Sequence, residues 1–262
     1  MKTRTCAVAG MFYPREPSHL EQLLGKFFSG TAQGGEARGI VSPHAGYIYS
    51  GQVAAHAFSA LPSGFSGTLV VIGPSHRGYI TCASALPWET PLGVVDTDTE
   101  FVDALGIEID EFSHQDEHSL EVQMPFIKYR FPRARIAPVM MGEQDPTSVM
   151  QVADKIAEAV RSTKREIRIV ASSDFSHYVP EQTAKAGDLY AIGALETLDV
   201  REFYRRIQEK GVTACGYGPI SAMVTACRSF GATAGRLIRY ATSGDVTGDR
   251  REVVGYAAVA VI

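Results

Sequence analysis

The sequence predicts an α/β domain with a central, mostly parallel sheet flanked by helices, and three observations predict it. Short β-branched runs alternate with amphipathic helical segments, the pattern of strand–helix–strand units. Three of those runs, RGIVSPHAG from Arg38, TLVVIGPSHRG from Thr68 and RIVASSDFSHY from Arg168, each stop in a polar turn that delivers a histidine: His44, His76 and His177. In open parallel sheets the ligand crevice lies outside the carboxyl ends of the strands. Three such ends therefore aim three imidazoles at one cleft.

Taken in order, residues 7–14, AVAGMFYP, are short, aromatic and closed by Pro14, which suits an irregular lead-in better than a central strand. Ser18 is the expected N-cap of a first helix, with Glu21 three residues on and Leu20, Leu23, Leu24, Phe27 and Phe28 at helical spacing. Residues 30–35 are a loop, and residues 39–42 a first strand ending at Pro43 and His44. Residues 50–61 put Val53, Ala54, Ala57, Phe58 and Leu61 on one face of a crossover helix. Strands are expected over 69–72 and 83–87, a loop over 90–93 and a helix over 98–104.

Residues 114–127, HQDEHSLEVQMPFI, crowd Asp116, Glu117, His118 and Glu121 into one short stretch. A strand over 136–141, a helix over 149–160 and a strand over 167–171 follow. Residues 184–209 read as a long polar helical region, TACGYGP (213–219) as a break, and 221–230 as a helix. Residues 236–241 and 253–262 read as strands, the last integral to the sheet. No linker or shift of composition divides the chain, so residues 1–262 form one domain.

A chain of 262 residues can bury roughly 70–75% of its unfolded surface. Its formal charge of -4 and the lack of a Lys/Arg cluster argue against a nucleic-acid platform, with Arg201, Arg205 and Arg206 read as a solvated helix face. Cys6, Cys82, Cys215 and Cys227 form no CxxC, which suggests reduced thiols rather than a zinc ribbon or disulfide framework. The N-terminus lacks a signal-peptide core, and no run reaches the ~18 apolar residues of a membrane span. The expectation is a cytoplasmic protein without membrane contact.

Imidazole, thiolate and carboxylate are the usual ligands of iron, zinc and copper. His44 and His76, held in Pro-His and Pro-Ser-His turns, are candidate metal ligands; taken singly each would be a turn residue bonded to carbonyls. Cys215 is the candidate third ligand, because it precedes Gly216, Gly218 and Pro219 at the start of a helix, where a thiol pKa falls. The paired glycines let backbone approach a ligand closely. The other cysteines read as small buried hydrophobes. Asp174 and His177 are the candidate catalytic acid–base pair; the competing reading makes Asp174 a helix N-cap. His118 is expected to line the site with Tyr47, Ser75 and Gly216. Which of Asp116, Glu117 and Glu121 reach the cleft stays open, since Asp116 or Glu117 also reads as a first-turn helix charge. His19 and His56 sit in helical patterns and read as structural or surface groups.

The motifs AVAGMFYP, SPHAGYIYSG, GPSHRG, DEHSLEVQMPF, SSDFSHY and CGYGP, in that order, resemble the Memo family, from near Ala7 to the C-terminal strand. That family is similar in structure to class III extradiol dioxygenases, non-haem iron enzymes that cleave catechol rings. The resemblance implies a metal site carried by His44, His76 and Cys215, with Asp174 and His177 beside it. The implied cofactor is a transition metal, iron(II) or copper, with zinc also compatible. It further implies an AMMECR-type protein and a radical SAM enzyme as partners, acting on a small molecule or modified protein that the sequence does not name.

Two departures shape the expected function. The ring-cleaving enzymes use two histidines and a glutamate where this chain has Cys215, and animal members have Arg-His where this chain has Tyr217 and Gly218. Thiolate beside activated oxygen risks climbing the cysteine oxidation ladder, so ordinary catechol cleavage is expected to be absent or slow. A metal-dependent redox protein is the first expectation. A peptide- or partner-binding module that turns nothing over, and a metal-assisted hydrolase, are the competing ones.

Overall fold

The computed structural model describes residues 2–32 and 34–262; Met1 of the domain and Gln33 of the loop expected over 30–35 lie outside the described residues. Among the described residues eight strands form the sheet: β1 (Gly39–Ser42), β2 (Thr68–Pro74), β3 (Cys82–Ala83), β4 (Arg135–Met141), β5 (Ile167–Ser172), β6 (His177–Val179), β7 (Gly235–Thr242) and β8 (Val253–Val261). Their order is β3-β4-β2-β5-β1-β8-β6, with β7 also paired to β8. The central four, β4, β2, β5 and β1, are mutually parallel. The remaining strands join antiparallel at the two sides.

Strands covered on both faces read as continuous apolar runs, and alternate residues of β2 and β5 feed two separate cores. Val70, Ile72, Ile169 and Ala171 pack on one face, with Val149, Val152 and Ile156 of the helix Pro146–Thr163 and Met223 and Cys227 of the helix Tyr217–Ser229. Leu69, Val71 and Val170 pack on the other, with Leu20, Leu24, Phe27 and Phe28 of the helix Pro17–Ser29 and Val53, Ala54, Ala57 and Phe58 of the helix Tyr47–Ser59. The expected C-terminal strand is indeed integral, since β8 pairs with β1, β6 and β7.

Several boundaries move for local reasons. Ser18 does not cap the first helix: Pro17 occupies its first turn, where a missing N–H costs nothing, and Glu16 stands at the N-cap without a side-chain bond. The crossover helix starts at Tyr47, three residues before the expected 50, directly after the turn that carries His44. The strand expected over 83–87 closes at Ala83. The long region 184–209 divides into helices Glu181–Ile192 and Val200–Lys210, parted by a 3-10 turn and by Leu198 at φ 55°. Asp199 restarts the chain by capping Glu202 N–H. Among the described residues no helix is long and apolar enough to cross a membrane.

Two glycines set where the last large helix lands. A Cβ on Gly39 would lie 2.5 Å from Met223 Sδ, and one on Gly216 would lie 2.4 Å from the Ser172 carbonyl oxygen. Their bare backbones let the helix Tyr217–Ser229 sit down on β1 and β5, and that contact delivers the Cys215 turn to the strand ends.

Candidate metal centre

At the carboxyl ends of β1 and β2 the chain turns through Pro43-His44 and Pro74-Ser75-His76. Between them rises the short helix His118–Glu121, pinned to β2 by the Ser119 Oγ–H bond to the Pro74 carbonyl, 2.9 Å. His44, His76 and His118 thereby each place one ring nitrogen within 4.8 Å of the others, a group able to hold a metal ion. Ring centroids lie 5.2 Å apart for His44 and His76, 5.4 Å for His44 and His118 and 4.5 Å for His76 and His118. His44 forms the buried floor, while His76 and His118 face solvent in part, so the group is open on one side.

Hydrogen bonds decide which nitrogen of His44 is free. The Ser172 hydroxyl has one proton, and it goes to the Ser119 carbonyl at 2.6 Å. Ser172 Oγ therefore accepts from its other partners: Gln123 Nε2–H at 2.8 Å and His44 Nδ1–H at 2.9 Å. The Gln123 amide is oriented by its second proton, which meets the Pro43 carbonyl at 3.0 Å. His44 is thus the Nδ1–H tautomer with a lone pair on Nε2. Burial, reinforced by the neighbouring His118 and His76, pushes its pKa well below the usual imidazole value. The ring is neutral, the state in which imidazole binds metal.

Glu117 performs the same service on the other side. Its Oε2 accepts the His76 backbone N–H at 2.8 Å, and its Oε1 accepts His76 Nδ1–H at 2.9 Å and Ser119 N–H at 2.8 Å. Oε1 also lies 3.4 Å from His118 Nδ1. Burial opposes ionisation, but the bonds from His76 and the backbone overcome it and hold this carboxyl well below the usual range. Carboxylate-to-imidazole bonds of this kind fix ring orientation and raise ligand basicity at metal sites.

The third strand end supplies the far wall. Asp174 Oδ1 accepts the His44 backbone N–H at 2.9 Å, and burial raises its pKa against the pull of that bond and of His177. Cys215 Sγ stands 3.2 Å from His44 Nε2 and accepts Asp174 N–H at 3.3 Å. The helix start was expected to lower this thiol's pKa; burial and then the Asp174 charge push it up instead. The Cys215 turn is tied from outside by Gln144, whose Nε2–H donates to the Cys215 carbonyl at 2.9 Å and whose Oε1 accepts Gly218 N–H at 2.7 Å. His177 stands at the start of β6, half-buried, with its Nδ1–H on the Thr213 carbonyl at 3.0 Å.

Among the expected site residues, His44, His76, His118, Glu117, Asp174 and Cys215 are brought into one connected cluster. His177 lies beside it, felt electrostatically by His44 and Asp174. The element that follows Asp174 is β6, not a helix, so the N-cap reading of that residue fails. Ser75 is half-buried and spends its Oγ on Tyr79 N–H. Gly216 gives its N–H to Ser173 Oγ. Tyr47 is 1% exposed, packs among Tyr13, Phe27 and Phe126, and bonds the Val122 carbonyl, which makes it core rather than cleft wall.

Of the three open carboxylates, Glu117 reaches the cleft, Asp116 is exposed and Glu121 points away to Arg4, Tyr13 and the N–H groups of Ala7 and Val8. Sequence reasoning missed Gln123 and Ser172, polar residues within or at the end of apolar runs, and Gln144, in the polar loop before the helix Pro146–Thr163, all of which carry orienting bonds.

Against known proteins, a family model described as Memo-like protein matches residues 4–260. The chain is similar to MEMO1 family proteins of Methanosarcina barkeri, Methanococcoides burtonii and Methanothermobacter thermautotrophicus, with identities of 44, 46 and 45%. The matches cover 98, 98 and 97% of this chain and 99, 99 and 98% of the respective relatives.

Proposed function

The chain belongs to the Memo family, and from that premise we propose a metal-dependent redox protein that holds one iron or copper ion at its strand-end cleft. The observation that carries the reading is the convergence of three imidazoles within 4.8 Å, with the Cys215 sulfur 3.2 Å from His44 Nε2. The donor set fits the group: neutral imidazole suits iron, copper and zinc, and a thiol that deprotonates on binding favours the softer ions. His44, His76, Cys215 and His118 are the residues that would hold it. A bound ion would supply one-electron redox chemistry and Lewis acidity.

The chain's own groups supply the rest. Ser172 and Glu117 keep Nδ1 of His44 and His76 protonated and turn Nε2 to the cleft. Asp174, buried and with a raised pKa, is the proton store beside Cys215. His177 has Nδ1–H committed to Thr213, which leaves Nε2 to exchange protons with whatever enters the cleft. The resemblance to extradiol dioxygenases does not extend to their carboxylate ligand, so catechol cleavage is not the proposed reaction.

A second reading, a partner-binding module, is favoured by one observation. Met11, Ile48 and Tyr178 are 73, 67 and 73% exposed; Met11 precedes Phe12, whose ring lies 4.9 Å from that of His118, and Tyr178 follows His177 and is held at φ 57°. Strained backbone of this kind clusters at working surfaces.

The two separate by purifying the protein anaerobically, measuring bound metal, and following oxygen uptake with and without catechol. One equivalent of iron or copper is expected, with oxygen uptake that needs no catechol. Cys215→Ser should lower metal content far more than Cys227→Ser, and His177→Ala should slow uptake with metal retained. Metal-free protein that gains no activity on loading would favour the binding module, and rapid catechol cleavage by the iron-loaded chain would restore the dioxygenase.

A further inference from the structure

Arg201, Arg205 and Arg206 read from sequence as one solvated face, but the fold separates them. Arg205 and Arg206 each pair with Glu202 at 2.7 Å, whereas Arg201 has no ion pair among the described residues. It sits instead at the mouth of a cavity of about 610 Å³ between the helices Pro146–Thr163, Val200–Lys210 and Tyr217–Ser229. Arg228 lines the same cavity; among the described residues its side chain has no ion pair and one hydrogen bond, a long 3.4 Å contact to the Leu198 carbonyl. Val149, Met150 and the ring of Tyr204 supply apolar walls. Asp199, on the rim, spends its Oδ1 on capping Glu202 N–H, 2.9 Å.

A concave, largely apolar space with two unpaired guanidinium groups has the make-up of a small-molecule site. We propose that this cavity binds a small organic carboxylate with an apolar body, and that its occupancy is felt at the Cys215 turn. The guanidinium fork matches a carboxylate with two parallel N–H bonds, and the walls bury the remainder. The connection runs through Tyr204, whose Oη–H donates to the Gln144 carbonyl at 2.5 Å. The side chain of that same Gln144 holds the Cys215 carbonyl and Gly218 N–H, and the Tyr204 ring also packs edge-on against Tyr217, 5.5 Å away. A ligand that fixes Tyr204 therefore fixes Gln144 and steadies the turn that carries Cys215. Binding itself stands apart from the metal-dependent reading of the cleft; only the consequence of the link for chemistry rests on it.

The test titrates the whole chain with naphthalene-2-carboxylate by calorimetry. Saturable one-to-one binding is expected, weakened at least about tenfold by Arg201→Ala combined with Arg228→Ala, and equally by replacing the probe with uncharged naphthalene-2-carboxamide. Met150→Trp, which fills the cavity from its exposed rim, should abolish it. At saturation, amide hydrogen exchange across residues 213–219 should slow, and Tyr204→Phe should keep the binding but lose that response. Absence of saturable binding, equal affinity for the carboxamide, or indifference to the double arginine variant would overturn the site. Unchanged exchange at 213–219 in the saturated protein would overturn the link.

Discussion

Glu117 and Glu121 lie four residues apart and are both buried, yet they serve two different regions. Glu121 faces the N-terminal segment, where it takes Arg4 Nη1–H at 2.5 Å, Tyr13 Oη–H at 2.6 Å and two backbone N–H groups at 2.9 Å. Glu117 faces the cleft and takes its bonds from imidazoles and turn amides. A carboxylate matched to a permanently charged arginine locks structure. One matched to imidazole leaves the opposite ring nitrogen free, and so sets up chemistry.

The largest effect that would break this contrast is on stability. Glu121→Ala leaves Arg4 buried and unpaired, and should cost about 3–5 kcal/mol, read from urea unfolding, with early proteolysis near residues 4–13. A loss no greater than that of Glu117→Gln would show that the two carboxylates are not divided as described.

Glu117→Gln should instead keep most of the stability and weaken metal binding by about 10–100-fold, the usual cost of losing an orienting partner, measured by chelator competition. Ser172→Ala, which removes the neutral acceptor of His44 Nδ1–H, should weaken metal binding less than Glu117→Gln. The reverse ranking would move the centre of the site from Glu117 to His44.

The smallest effect concerns a third buried carboxylate with neither arginine nor direct imidazole partner. Asp188 accepts from Ser176 Oγ–H at 2.6 Å and Tyr240 Oη–H at 2.7 Å, and burial raises its pKa despite them. The folded protein therefore holds this proton more tightly than the unfolded chain. The stabilisation is complete below the unfolded value, about 3.9, and is lost as pH rises through the folded one. Asp188→Asn should gain on the parent in urea midpoint between acid and neutral pH; a constant difference across that range would place Asp188 with Glu121 rather than apart from it.

Most of the sheet was legible in the chain because buried strands are largely apolar runs, and β1, β2, β4, β5 and β8 fall where such runs lie; β7 was expected too, although it is only half-buried and carries Arg236 and Arg239. β6, three residues with an exposed Tyr178, has no such run and was missed. Residues 114–123 were readable as crowded charge with His118 lining the site, but the part played by each carboxylate stayed open. The helices here, Glu111–His114 and His118–Glu121, have four residues each, too short for a period to tell which side chain faces where.

The sequence by itself determined the α/β class, the single domain and the delivery of His44 and His76 to strand ends, since a run of buried residues followed by a rigid turn fixes where the next side chain emerges. Only the tertiary structure decided that His118 completes the imidazole group, that Glu117 and not Glu121 orients it, and that Tyr47 belongs to the core. The placing of His118 and Glu117 depends on the short helix His118–Glu121 docking on the end of β2 through Ser119 and Pro74, just as the arrival of Cys215 depends on the close contact that Gly39 and Gly216 permit. These contacts join residues far apart in the chain, so no local pattern of polarity or spacing encodes them.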